Sequence, residues 1–349
     1  MNLKKKLIRM ICCVLCTCSL YMKNIILVSD AIFQRSFLTV DGKKIEVGTK
    51  GNGENTIVIL HAYGNIPPLN LDIEIPEGKT EIPEEYQKYI SELDEKSISY
   101  NSNYIEDFEK LSDELAKKYK VVVIHRLGYG QSDDTKEERT VEKIAEEIHK
   151  VIKQLNLKKP LLFAHSMGGL FALSYIQRYS DDIMGYVGLD ACTPAMFLEE
   201  ELCSQEPEFN SSWFEKILNL IRLAISKIKS LFSMQSSGLR HDPKATNWGS
   251  EAIVNECNEQ LDNARKLENF KFPNQLNALM ILSTFSSRYM EGQLLKGVYK
   301  SSLKQMNEKL ISNPERQEII EIEGSHFLYH KNFRILAEKI DYIAEKSKY

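Results

Sequence analysis

Ser166 sits in the run Leu161-Leu162-Phe163-Ala164-His165-Ser166-Met167-Gly168-Gly169, where an apolar, strand-like stretch gives way to small residues and then to a helical pattern. A sharp strand-to-helix turn strains the backbone of the residue at its apex and lifts that side chain above the sheet. Positions two before and two after must be small, because strand and helix nearly touch there. Ala164 and Gly168 meet that demand. The helix that follows aims its first N–H groups at the same place, which suits developing negative charge. A serine hydroxyl becomes a good nucleophile only when a base takes its proton. Seven histidines could serve, and one, His326, lies in Glu323-Gly324-Ser325-His326-Phe327, just past the last strand-like run.

Four segments together resemble the α/β-hydrolase fold family, in particular its serine esterase and lipase-like members. They are His61-Ala62-Tyr63-Gly64, Gly128-Tyr129-Gly130-Gln131-Ser132, Ala164 to Gly168, and Gly324-Ser325-His326. The resemblance runs from about Ser36 to the C-terminus, apart from two insertions. It implies Ser166 as nucleophile and His326 as general base, with His330 the less favoured candidate for that role. It also implies an oxyanion hole made from the backbone N–H groups of Met167 and Tyr63. The family most often carries its acid after the penultimate strand. Here that place reads Ser283-Thr284-Phe285-Ser286-Ser287-Arg288, with no carboxylate before Glu291. Some lipases of the fold carry it one strand earlier, in a context similar to Gly188-Leu189-Asp190. Asp190 is therefore the expected acid and Glu291 the alternative. Relatives with an aspartate nucleophile are set apart by the serine at 166.

These residues need a scaffold, and the hydropathy pattern supplies one. Short apolar runs at residues 56–60, 121–125, 160–164, 185–189, 278–282 and 318–322 alternate with amphipathic helical stretches, among them 104–119 and 141–155. Such alternation describes a mostly parallel sheet with helices on both faces. Asp41-Gly42, between strand-like runs at 36–40 and 44–47, marks a leading antiparallel hairpin.

Two segments exceed a minimal fold. Residues 65–103 form an acidic, proline-containing insertion within the first part of the core, residues 32–194. Residues 195–273 fall where the family carries a helical cap, before the second part of the core at 274–349. In that cap Phe214, Ile217, Leu218, Ile221, Ile225 and Ile228 share one helical face. An apolar lid favours an ester with a hydrophobic part, including lipid-like esters.

Residues 1–31 stand apart: Lys4, Lys5, Lys6 and Arg9 precede an apolar run broken by Lys23. This order fits a signal peptide or a membrane anchor, with membrane association through residues 1–29 and an extracytoplasmic body. A net charge of −4 argues against non-specific nucleic-acid binding. No phosphate loop, metal-ligand spacing or cofactor motif is present, so no cofactor and no metal is expected. Four of the seven cysteines lie in the leader, leaving Cys192, Cys203 and Cys257 without a disulfide framework. A carboxylic-ester hydrolase is the leading reading. A non-catalytic binding protein of the same fold and an acyltransferase using the same residues stay open.

Overall fold

The computed structural model describes residues 32–62, 103–204 and 250–348. The leader (1–31), Tyr63 with the acidic insertion up to residue 102, and the amphipathic part of the expected cap lie outside the described residues.

Eight strands form one sheet among the described residues: β1 Gln34–Val40, β2 Lys43–Lys50, β3 Thr56–Leu60, β4 Lys120–Ile124, β5 Leu161–His165, β6 Gly185–Leu189, β7 Asn277–Ser283 and β8 Gln317–Ile322. Their order is β1-β2-β4-β3-β5-β6-β7-β8. β1 and β2 pair antiparallel, β2 runs antiparallel to β4, and the remaining neighbours are parallel. The hairpin turns at Asp41 and Gly42, both with positive φ (49° and 76°), as an Asp-Gly pair allows. Six parallel strands thus end on one edge of the sheet, where the loops following β3, β5, β6, β7 and β8 gather.

Strand alternation builds two cores. Val58, Leu60, Leu162 and Ala164 point to one face, against helices α3 (Val141–Gln154) and α4 (Gly168–Tyr179). Ile57, Ile59, Leu161 and Phe163 point to the other, against α1 (Tyr104–Asp107), α2 (Glu109–Leu115) and α11 (Phe333–Lys346). Helix α3 shows why such a sequence is helical. Val141, Ile144, Ala145, Ile148, Val151 and Ile152 recur at helical spacing and are buried, and the Thr140 side chain caps the start by accepting from the Lys143 amide. The remaining α-helices among the described residues are α5 (Pro194–Ser204), α6 (Glu251–Asn258), α7 (Gln260–Lys266), α8 (Thr284–Leu295), α9 (Leu303–Glu308) and α10 (Leu328–Lys331).

The sequence pattern predicts a single helix over residues 104–119, and the structure divides it at Phe108. Phe108 is fully buried, with its ring 4.3 Å from that of Tyr329 and 6.1 Å from Phe163. Breaking the helix there lets Tyr104 stack on His61 at 4.0 Å while Leu111 and Leu115 pack on the sheet. Similarly, the final helix begins at Phe333, and His330 belongs to the short α10 before it.

The second glycine-rich motif has a structural task. Glu46 on β2 is fully buried and accepts hydrogen bonds from Arg35 (2.9 Å), His125 Nδ1 (2.8 Å) and the Gln131 amide (2.7 Å). His125 Nε2 accepts from the Ile105 amide at 3.2 Å, so the imidazole proton resides on Nδ1. Gly130, at φ 53°, passes so close that a Cβ would fall 2.0 Å from His125 Nδ1. Burial alone would raise the Glu46 carboxyl, but these donors outweigh it and hold it at about 2. A depressed carboxyl stabilises the fold above its unfolded value near 4.5, and that contribution fades as pH falls toward about 2. Glu46→Gln is therefore expected to lower unfolding free energy at pH 7 by about 2–3 kcal/mol. In urea titrations its deficit against wild type should shrink steadily below pH 4.5; a deficit independent of pH would remove the charge from this account.

Candidate active site

The loop ends of β3, β5, β6 and β8 meet around Ser166. The serine has φ 51°, in the left-handed region that side chains other than glycine rarely adopt. Its backbone is fastened on both sides. The Ser166 amide donates to the Leu189 carbonyl (3.1 Å), and its own carbonyl accepts from Gly169 (2.8 Å) and Cys192 (2.8 Å). The glycine after the turn is forced by contact. A Cβ on Gly168 would lie 2.3 Å from the Leu60 carbonyl oxygen and 2.9 Å from that of His61. Gly169 is similarly close to Ala191 and Cys192. Met167, buried between Ser166 and the first residue of α4, takes helical dihedrals (φ −56°, ψ −28°). Tyr63, the other expected oxyanion donor, lies outside the described residues.

Asp190 ends β6 at φ 40°, its amide donating to Ile281 at 2.8 Å. Only 5% of it is exposed, and its carboxylate is surrounded by donors. Oδ1 accepts from the Ser283 amide (2.7 Å), while Oδ2 accepts from the Ser283 hydroxyl (2.6 Å), the Ser286 hydroxyl (2.7 Å) and His326 Nδ1 (3.0 Å). A carboxylate can only accept, so the His326 proton sits on Nδ1 in this pairing. Ser286 Oγ also lies 3.3 Å from that nitrogen. Glu291 is on the exposed side of α8. His330 pairs with Asp107 at 3.2 Å, and the Tyr329 hydroxyl donates to the same aspartate. The structure thus brings Asp190 to His326, and it places Glu291 and His330 elsewhere.

Ser283 and Ser286 were not singled out in the sequence. They occupy the segment that draws attention only for lacking a carboxylate. Ser283 caps α8 by accepting from the Ser286 amide, and a serine three residues after a capping serine is the trace that could have revealed the pair.

Two neighbours complete the site. His165 is wholly buried and its Nε2 donates to the His326 carbonyl at 3.1 Å, bracing the loop that carries the imidazole. Burial, reinforced by the adjacent His326, holds the His165 imidazole well below the usual histidine range, so it stays neutral. Burial pushes the Cys192 thiol up to about 12, which leaves it protonated. No cluster of potential metal ligands occurs among the described residues.

The family model for the alpha/beta hydrolase fold matches residues 56–317, and the chain belongs to that family. Among curated relatives, it is 24% identical over 164 residues to the Bacillus subtilis protein YbdG, covering 47% of this chain and 39% of that one. It is 25% identical over 149 residues to epoxide hydrolase 1 of Caenorhabditis elegans, covering 40% of this chain and 37% of the relative. The chain thus spans about two fifths of the length of either protein. Among solved structures, a bacterial membrane phospholipase A superposes with a TM-score of 0.52 at 14% identity, over 99% of both chains. A putative epoxide hydrolase from Pseudomonas aeruginosa gives 0.52 at 13%, over 90% of this chain and 96% of that one. At such identities the likeness is one of fold.

A methyl group at position 168 has nowhere to go, because the obstacles are backbone carbonyls. Gly168→Ala is expected to destabilise the fold by about 2–3 kcal/mol, read as a lowered urea midpoint. An unchanged midpoint would mean that α4 can retreat from β3 without loss.

Proposed function

We propose that the chain is a serine hydrolase that cleaves carboxylic esters through an acyl-enzyme on Ser166. The observation that carries the reading is the Asp190–His326 pair at 3.0 Å, on loops gathered beside a serine held at positive φ. In this reading His326 Nε2 takes the proton of the Ser166 hydroxyl as its oxygen attacks the ester carbonyl. Asp190 holds the ring in the required tautomer and stabilises the imidazolium that forms. The backbone N–H of Met167 and that of Tyr63 receive the oxyanion. The imidazolium then protonates the departing alcohol, and water, activated by the same base, releases the acid. None of these steps calls on a metal or cofactor.

The relatives named as epoxide hydrolases raise another substrate class. Opening an epoxide by the route implied by the family resemblance uses a carboxylate at the apex of the turn, and this chain has Ser166 there. The phospholipase A neighbour supports extending the proposed esters to lipid-like ones. So does the apolar face expected for residues 214–228. Transfer of the acyl group to an acceptor other than water uses the same residues.

Fluorophosphonate labelling followed by mass spectrometry tests the nucleophile. Wild type should be labelled at Ser166 and Ser166→Ala should not. Labelling that persists in Ser166→Ala would remove the serine from its role. With p-nitrophenyl acyl esters of increasing chain length, Asp190→Asn is expected to lower kcat by about 10³–10⁴. Glu291→Gln should stay close to wild type. Near-normal turnover by Asp190→Asn would return the acid to another residue.

A further inference from the structure

We infer that Arg126 and Glu256 are positioning residues, whose buried ion pair holds His61 and Ala62, the main chain directly after β3, in place against the nucleophile turn. The inference rests on the serine-hydrolase reading above. Arg126 follows β4 and is 1% exposed. Its Nη1 donates to the His61 carbonyl at 2.9 Å and its Nη2 to the Ala62 carbonyl at 3.1 Å. On its other side, Nε and Nη2 reach the two oxygens of Glu256 at 3.1 and 3.0 Å. The guanidinium is sandwiched between the rings of Tyr129 (4.7 Å) and Phe171 (4.6 Å), and the Tyr129 hydroxyl donates to Glu256 at 2.9 Å. Arg139, paired with Glu147 at 2.8 Å, approaches Glu256 at 3.5 Å, so two buried arginines balance two buried glutamates.

Stability is a poor reason for such an arrangement. Desolvating two charges offsets most of their attraction, and apolar residues of similar volume often do as well. What apolar residues lack is a set of N–H groups for two carbonyls of an irregular, buried segment. Those carbonyls belong to His61 and Ala62, directly after β3. His61 Nδ1 adds a second contact to the Ala62 carbonyl at 2.7 Å. The His61 carbonyl also borders the nucleophile turn, since a Cβ on Gly168 would fall 2.9 Å from it. Met167 directly precedes Gly168 in that turn, and in the proposed mechanism its amide is an oxyanion donor, which acts only when closely preset. Glu256 comes from α6, on the chain returning from residues 205–249. The segment that re-enters the core after residue 249 thereby helps to set the end of β3 beside the nucleophile turn.

The test compares Arg126→Lys, Glu256→Gln and the double variant Arg126→Met/Glu256→Leu, each in the full chain. A lysine cannot reach two carbonyls and a carboxylate at once, and the double variant leaves no orphaned charge to unfold the protein. We expect folded variants whose kcat on p-nitrophenyl butyrate falls about 10- to 100-fold with KM within about threefold. The rate of fluorophosphonate labelling at Ser166 should fall in parallel. A folded double variant with wild-type kcat and labelling rate would overturn the inference. So would losses confined to KM, or losses that match only the fraction of unfolded protein. A wild type that lacks Ser166-dependent turnover would instead defeat the serine-hydrolase reading.

Discussion

Where α4 crosses the end of β3, two stretches of main chain come close enough that no side-chain carbon fits between them. The missing Cβ of Gly168 would sit 2.3 Å from the Leu60 carbonyl. This approach dictates the rest of the turn. The chain must reverse within two residues of β5, which leaves Ser166 at φ 51° with its amide and carbonyl tied to the β6 end. A serine held this way has little freedom, and backbone strain of the order of 1 kcal/mol or more is sustained by the bonds around it. The same approach brings the helix start, the β3 loop and the serine into one small volume. Those are the parts that an acyl-transfer site has to assemble.

The carboxylate side of the site is organised by a second constraint. Asp190 is almost fully buried, and an ionised carboxylate in that setting requires donors. It has them from three elements: the ends of β7 and α8 through Ser283 and Ser286, and the β8 loop through His326. The segment where the family most often keeps its acid has not lost its connection to the imidazole. It supplies hydroxyls that hold a carboxylate reaching across from the neighbouring strand. β6 and β7 are hydrogen-bonded neighbours with Leu189 opposite Ile281, so the displacement is one strand spacing wide.

The sheet was legible because its signal is local. Buried parallel strands read as unbroken apolar runs, and the boundaries of β3 and β6 fall at the residues the pattern indicates. The turn at Ser166 and the meeting of Asp190 with His326 were legible because the turn, the terminal loop and an aspartate just past a strand each leave a short motif. Contacts that depend on tertiary meeting left no such trace. Nothing around Arg126 announces that its guanidinium will be enclosed with Glu256, 130 residues along the chain. Helical periodicity over residues 104–119 could not show that burying Phe108 against Tyr329 would break the helix. The Gly128–Ser132 motif was readable as part of the family resemblance, but its target, a buried Glu46–His125 pair, comes from residues far apart in sequence.

Histidine burial separates roles that residue type leaves open. Among the imidazoles that stand beside carboxylates are His125, with Glu46, and His326, with Asp190. The first pair is sealed, and both ring nitrogens of His125 are spent, on Glu46 and on the Ile105 amide. Such a ring can brace a fold but has no nitrogen left to receive a proton from a substrate. His61 and His165 are equally enclosed, and burial keeps both imidazoles well below the ordinary range. His326 differs in kind. Part of its ring meets solvent, and its ring hydrogen bonds among the described residues fall on Nδ1, toward Asp190, an arrangement that suits the general base proposed above. A sequence can list seven histidines, but only the packing around each decides which of them can move a proton.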